Sequence, residues 1–140
     1  MEKINRRKSR VIALQAVFYC LSRKNLVSST EALDFVQNNL ENLKNFDEFS
    51  SILTNTVLKN LPSLKITLKT LTENTQYEKI VMINRVILLL GMTEMRFFET
   101  PKAVIINEYI EIAKIFGEKR SGNLINGVLD TFRKNLAKKS

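Results

Sequence analysis

Along this chain apolar residues recur at spacings of three and four, the period of helices packed on one face. Val11, Leu14, Phe18 and Leu21 set the first such run and predict a helix over residues 5–23. Thr30 precedes Ala32, Leu33, Val36 and Leu40, and Asp47 precedes Phe49, Leu53, Val57 and Leu61. Each of these polar residues is placed to cap the helix after it, because its side-chain oxygen can accept from unpaired first-turn N–H groups. Pro62 then ends or restarts the chain. The polar stretch 72–76 is the best internal boundary, and residues 77–98 follow with a dense apolar centre at 87–90, the composition of a buried central helix. Thr100 and Pro101 supply a cap and a first helical residue for a segment ending at Phe116, where Gly117 gives the stop. Ser121 is placed to cap a last helix carrying Leu124, Ile125, Val128, Leu129 and Phe132. The pattern predicts an all-α fold of six or seven helices in two packed halves that divide near residue 75.

Composition supports one domain over 1–140: 44% apolar residues suffice for a core, and four glycines with two prolines are too few for a turn-rich β fold. With no histidine and one cysteine, the commonest general base, the commonest zinc ligand and any disulfide framework are missing. No catalytic residue, cofactor or metal is expected. Gly117 and Gly122 have phosphate-loop spacing, but Asn123 and Leu124 stand where Lys and Ser or Thr are required, so helix stop and helix start are the better roles. Glu108 and Glu111, three apart, read as a solvated or ion-paired helix face rather than paired catalytic carboxylates.

Charge changes the picture more. Twenty-two basic against fourteen acidic residues give a formal charge of +8, which suggests a polyanionic partner. Lys3, Arg6, Arg7, Lys8 and Arg10 precede an apolar run, as in a secretory signal. Gln15 interrupts that run and Ser22, Arg23 and Lys24 follow where cleavage would fall, so a signal is rejected. The longest later apolar run, 86–92, is far short of a membrane span, and a cytoplasmic protein with no membrane partner is expected. Arg7 and Arg10 lie seven residues before Leu14 and Val17, on the extension of the buried face. Charges cannot be buried there unpaired, so this stretch should fray or project as an exposed cationic arm.

The C-terminal third carries specific residues: Pro101, Lys102, Ala103, Val104, Ile105, Ile106, Asn107 and Glu108, then Ile112, Ala113, Lys114, Phe116, Gly117 and Ser121, then Ile125, Asn126, Gly127, Val128, Leu129 and Asp130. With the opening Arg6, Arg7, Lys8, Ser9 and Arg10 and the later Ala13, Leu14, Gln15 and Ala16, this resembles the NusB family of bacterial transcription antitermination factors. The resemblance implies two perpendicular three-helix halves. It also implies binding of ribosomal protein S10 and boxA RNA, so that RNA polymerase in its antitermination complex reads through terminators, notably in ribosomal RNA operons. Carried over by position, Arg6, Arg7, Lys8, Arg10 and Gln15 would contact RNA, with Phe116, Lys119, Arg120 and Ser121 as further candidates. Asn107, Glu108, Asn126, Gly127 and Asp130 are read as structural. Gly127, mid-helix, suggests close packing against another helix.

For S10, residues of the central helix and its exit are expected: Met82, Asn84, Met92, Met95, Phe97 and Phe98. The methionines and phenylalanines among them exceed what one buried helix face can absorb, and methionine suits adaptable partner surfaces. The chain is expected as a monomer or homodimer. The alternative reading is a self-associating helical scaffold whose basic face is covered in a homodimer. A similar helical domain also occurs joined to ribosomal RNA methyltransferases, but this sequence has no glycine-rich cofactor loop, which leaves a binding module.

Overall fold

The structure, a computed structural model, describes residues 6–24, 26–39, 48–73 and 77–138. Among them are seven α-helices and no strand: α1 Arg6–Ser22, α2 Ser29–Asn39, α3 Glu48–Lys59, α4 Leu61–Leu71, α5 Met82–Phe97, α6 Lys102–Phe116 and α7 Ser121–Lys138. A 3-10 turn, Tyr77–Lys79, precedes α5. The all-α expectation holds because each apolar period finds a packed face.

Helix starts differ in detail from the sequence reading. Ser28, not Thr30, caps α2: its hydroxyl oxygen accepts the Glu31 N–H at 3.1 Å, while Thr30 lies exposed inside the helix. Asp47 lies outside the described residues. Pro62 restarts the chain, occupying the first turn of α4 where no partner for its missing N–H is needed. Pro101 flanks α6 and its carbonyl accepts from Ile105 at 3.1 Å.

The chain forms two compact units, Met1–Lys59 and Asn60–Ser140. The expected division near residue 75 is corrected to residue 59, and the second unit holds four helices rather than three, because α4 packs on α5 and touches α7. In the first unit α1 packs on both α2 and α3. Ile12, Ala16 and Cys20 of α1 meet Ala32, Leu33 and Val36 of α2, with Tyr19, Val27 and Leu58 closing the cluster. In the second unit α5 is the centre, in contact with α4, α6 and α7. Eleven of its sixteen residues are buried, as the dense apolar run predicts.

Burial on all sides leaves the polar groups of α5 to be satisfied internally. The Thr93 hydroxyl donates to the Leu89 carbonyl at 2.7 Å, and fully buried Glu94 accepts from the Tyr109 hydroxyl of α6 at 2.9 Å. Gly91 lies close against Leu129 of α7. A Cβ there would lie 2.8 Å from Leu129 Cδ1. Gly127, expected to mark such a contact, is exposed with nothing within 4 Å of its would-be Cβ; that expectation is corrected.

Candidate nucleic-acid interface

Residues 6–10 are helical and continue α1 without a break, so the cationic stretch is neither frayed nor an extended arm over these positions. Arg6, Arg7 and Lys8 are exposed and fan around the first turn. Arg10, expected to be exposed, is instead buried, which corrects that expectation. The aromatic ring of Phe49 on α3 lies against it: the Arg10 guanidinium is 5.6 Å from the ring centroid and that of Arg6 is 4.3 Å from it. A ring face attracts a cation through its quadrupole, so Phe49 gives both arginines an attractive contact. Gln15 is half-buried one turn further on, and its Oε1 is a buried acceptor with no hydrogen-bond partner among the described residues.

The second candidate group lies in the second unit, at the turn between α6 and α7. Phe116, Lys119 and Arg120 are exposed there. Ser121 is not: it is the first residue of α7 rather than a cap outside it, and its buried Oγ accepts from Asn84 Nδ2 of α5 at 3.1 Å. This bond fixes the start of α7 on the start of α5. Gly117 is required by the same crowding, since a Cβ would lie 2.5 Å from Ser121 Oγ and 2.8 Å from the Ala113 carbonyl oxygen. Its φ of −99° is open to any residue, so the need is space, not conformational freedom. An open cleft of about 490 Å³ adjoins the turn, with Lys114 and Lys119 on one side and Asn123 and Asn126 on the other.

The residues expected to meet S10 do not form one surface. Met92, Met95 and Asn84 are buried, which corrects their expected place on an accessible face. The core of the four-helix unit absorbs the methionines because α5 has neighbours on several sides, not one. Met82 and Phe97 remain exposed and Phe98 half-exposed, but Met82 and Phe97 sit at opposite ends of α5, about 22 Å apart at the helical rise per residue. Of the residues read as structural, Asp130 is held by Lys134 Nζ at 3.1 Å and Arg133 Nη2 at 2.5 Å, whereas Asn107 and Asn126 are exposed.

Sequence reasoning missed Phe49. Its only signal was an aromatic ring at a position read as core, and helical periodicity carries no information on which arginine from another helix meets it. Among the described residues no group of three metal-ligating side chains occurs, and no helix is long and apolar enough to cross a membrane.

These features define an all-helical protein with cationic side chains displayed at a helix start in one unit and at a tight inter-helix turn in the other. The chain belongs to the NusB family, whose sequence pattern matches residues 7–134. The transcription antitermination protein NusB of Pseudoalteromonas translucida is 34% identical over 99% of this chain and 100% of its own length. That of Bacillus mycoides is 31% identical over 95% of this chain and its full length. Among solved structures, T. maritima NusB superposes with a TM-score of 0.81 at 25% identity, covering 95% of this chain and 93% of its own. A structure of antitermination factors NusB and NusE in complex with double-stranded RNA shares the fold, with a TM-score of 0.81 at 19% identity over 93% of this chain and 96% of that one.

Proposed function

We propose that this chain is a transcription antitermination factor that binds boxA RNA together with ribosomal protein S10. In that role it promotes read-through of terminators by the RNA polymerase antitermination complex, notably in ribosomal RNA operons, and works in the cytoplasm where transcripts emerge. Family membership supports the general role, and the NusB–NusE–RNA structure is that of a protein with the same fold. The observation that carries the reading for this chain is the ordered start of α1. Arg6, Arg7 and Lys8 are exposed on a helix that packs on α2 and α3, with Arg10 and Arg6 against Phe49.

Exposed cations held on a rigid helix bind phosphate without first paying for their ordering, and each phosphate neutralised releases condensed counterions. Arg6, Arg7 and Lys8 are therefore the phosphate contacts, and Arg10 is a positioning residue. Gln15, half-buried on the same helix, remains a candidate for a polar RNA contact through whatever part of its amide reaches the surface. Phe116, Lys119 and Arg120 form a second basic element with an exposed ring for stacking. The chain has no tryptophan and few open rings, so it binds RNA weakly alone and gains selectivity with S10. The test is titration of labelled boxA RNA and a scrambled RNA with the chain, with S10 and with both. Support is a preference for boxA that strengthens with S10; equal affinity for the two RNAs in the presence of both proteins refutes the reading.

A further inference from the structure

The open groove between α4 and α7, about 570 Å³ and wholly within the second unit, contains no residue assigned above to RNA or S10. We propose that it docks an amphipathic helix with acidic flanks belonging to another protein. One wall is α4, where Ser63, Ile66, Thr67, Thr70 and Leu71 fall at i, i+3, i+4, i+7 and i+8, a single helix face about 12 Å long. In the sequence that face reads as half polar. The structure makes it less polar, because all three hydroxyl donors are used on carbonyls of their own helix region: Ser63 to Asn60, Thr67 to Ser63 and Thr70 to Ile66, each at 3.1 Å. With these donors turned inward, Ile66 stands 68% exposed at the centre of the face. Phe132 and Leu136 of α7 line the opposite side.

Charge selects the occupant. Among the described residues Arg96 and Lys138 line the groove, no carboxylate does, and neither cation is held in an ion pair. An apolar trough between two helices, with anchors at helical spacing, matches the apolar stripe of a third helix, and two unneutralised cations at its edge match carboxylates flanking that stripe. RNA fits poorly, since Phe132 is buried and offers no ring for stacking, and aliphatic walls cannot solvate phosphates.

A fluorescent helical peptide of about 15 residues, leucines at i, i+3, i+4 and i+7 and glutamates on the flanks, is the probe, titrated into the full chain. Controls are its Glu-to-Lys counterpart, a scrambled peptide and oligo-uridine RNA. The acidic helix should bind about tenfold tighter than each control, and shift the amide resonances of Ile66, Thr70 and Leu136. Ile66→Glu, and Arg96→Glu with Lys138→Glu, should each weaken it about tenfold while leaving the thermal melt unchanged, since these side chains are exposed. Four results overturn the proposal: no binding of the acidic helix, equal binding of the lysine counterpart, RNA shifting the same amides, or a concentration-dependent dimer that Ile66→Glu abolishes.

Discussion

Gly91, Gly117 and Gly127 meet three different surroundings, and those surroundings decide what alanine would do at each. At Gly127 the would-be Cβ has open space in a continuous helix, so Gly127→Ala should raise stability by up to about 1 kcal/mol through helix propensity alone. At Gly91 the same gain is opposed by overlap with the buried Leu129 side chain, and overpacking of a core costs about 1–3 kcal/mol, so Gly91→Ala should be net destabilising. At Gly117 one of the crowding atoms is the Ala113 carbonyl, which cannot swing aside, and Gly117→Ala should loosen the turn and the Asn84–Ser121 bond. Urea unfolding of the three variants checks the order: Gly127→Ala above the parent, the other two below. Residue chemistry also sets a pH dependence at Asp130. Hydrogen bonds from Lys134 and Arg133 hold its carboxyl below the usual carboxylate range. A depressed folded-state pKa means the stabilisation is present above the unfolded value and is lost as pH falls through the folded one. Asp130→Asn should therefore unfold at slightly lower urea than the parent at neutral pH, and the two curves should converge as pH falls through the lowered folded-state value.

At the scale of elements, α1 separates two kinds of arginine that the sequence presents alike. Arg7→Ala should reduce the salt slope of RNA binding by about 0.7 with unfolding unchanged, the value for one single-strand phosphate contact. Arg10→Ala instead removes a buried side chain from the α1–α3 contact, so it should lower the unfolding midpoint and weaken RNA binding only through the orientation of α1. If Arg10→Ala leaves stability intact and changes the salt slope as Arg7→Ala does, its positioning role is wrong. The same helix shows what periodicity can reveal. Val11, Leu14, Phe18 and Leu21 are enough to place α1 within a residue at each end, and the dense run at 87–90 is enough to make α5 central. Periodicity cannot say which helix covers which face. The fate of Arg10 depended on Phe49, nearly forty residues away, and that of Met92 and Met95 on how many neighbours α5 has. Likewise 72–76 reads as a boundary because it is polar, whereas the unit actually divides at a helix restart through Pro62, where packing rather than composition changes.

For the whole molecule, net charge constrains how the two proposed partners can be held. The chain carries +8, and S10, a ribosomal protein expected to be basic, gains nothing from net Coulomb attraction to it. Their association must then rest on apolar packing and local pairs, while RNA binding rests on counterion release. The two should separate with ionic strength: rising salt abolishes RNA binding by this chain alone and leaves S10 binding largely intact. Burial dictates the probes. Met92→Glu would place a charge in the core and unfold the unit, so a loss of binding there would mean nothing about contact. Met82 and Phe97 are exposed, so Met82→Glu and Phe97→Glu can report on contact with folding preserved. Because these residues lie at opposite ends of α5, S10 held along the helix should respond to both, and S10 held at one end to a single variant. Calorimetric titration of S10 into the parent and each variant, at low and high salt, measures this directly. Loss of S10 binding in step with RNA binding as salt rises would overturn the apolar contact. Unchanged affinity in both variants would move the S10 surface off α5 altogether.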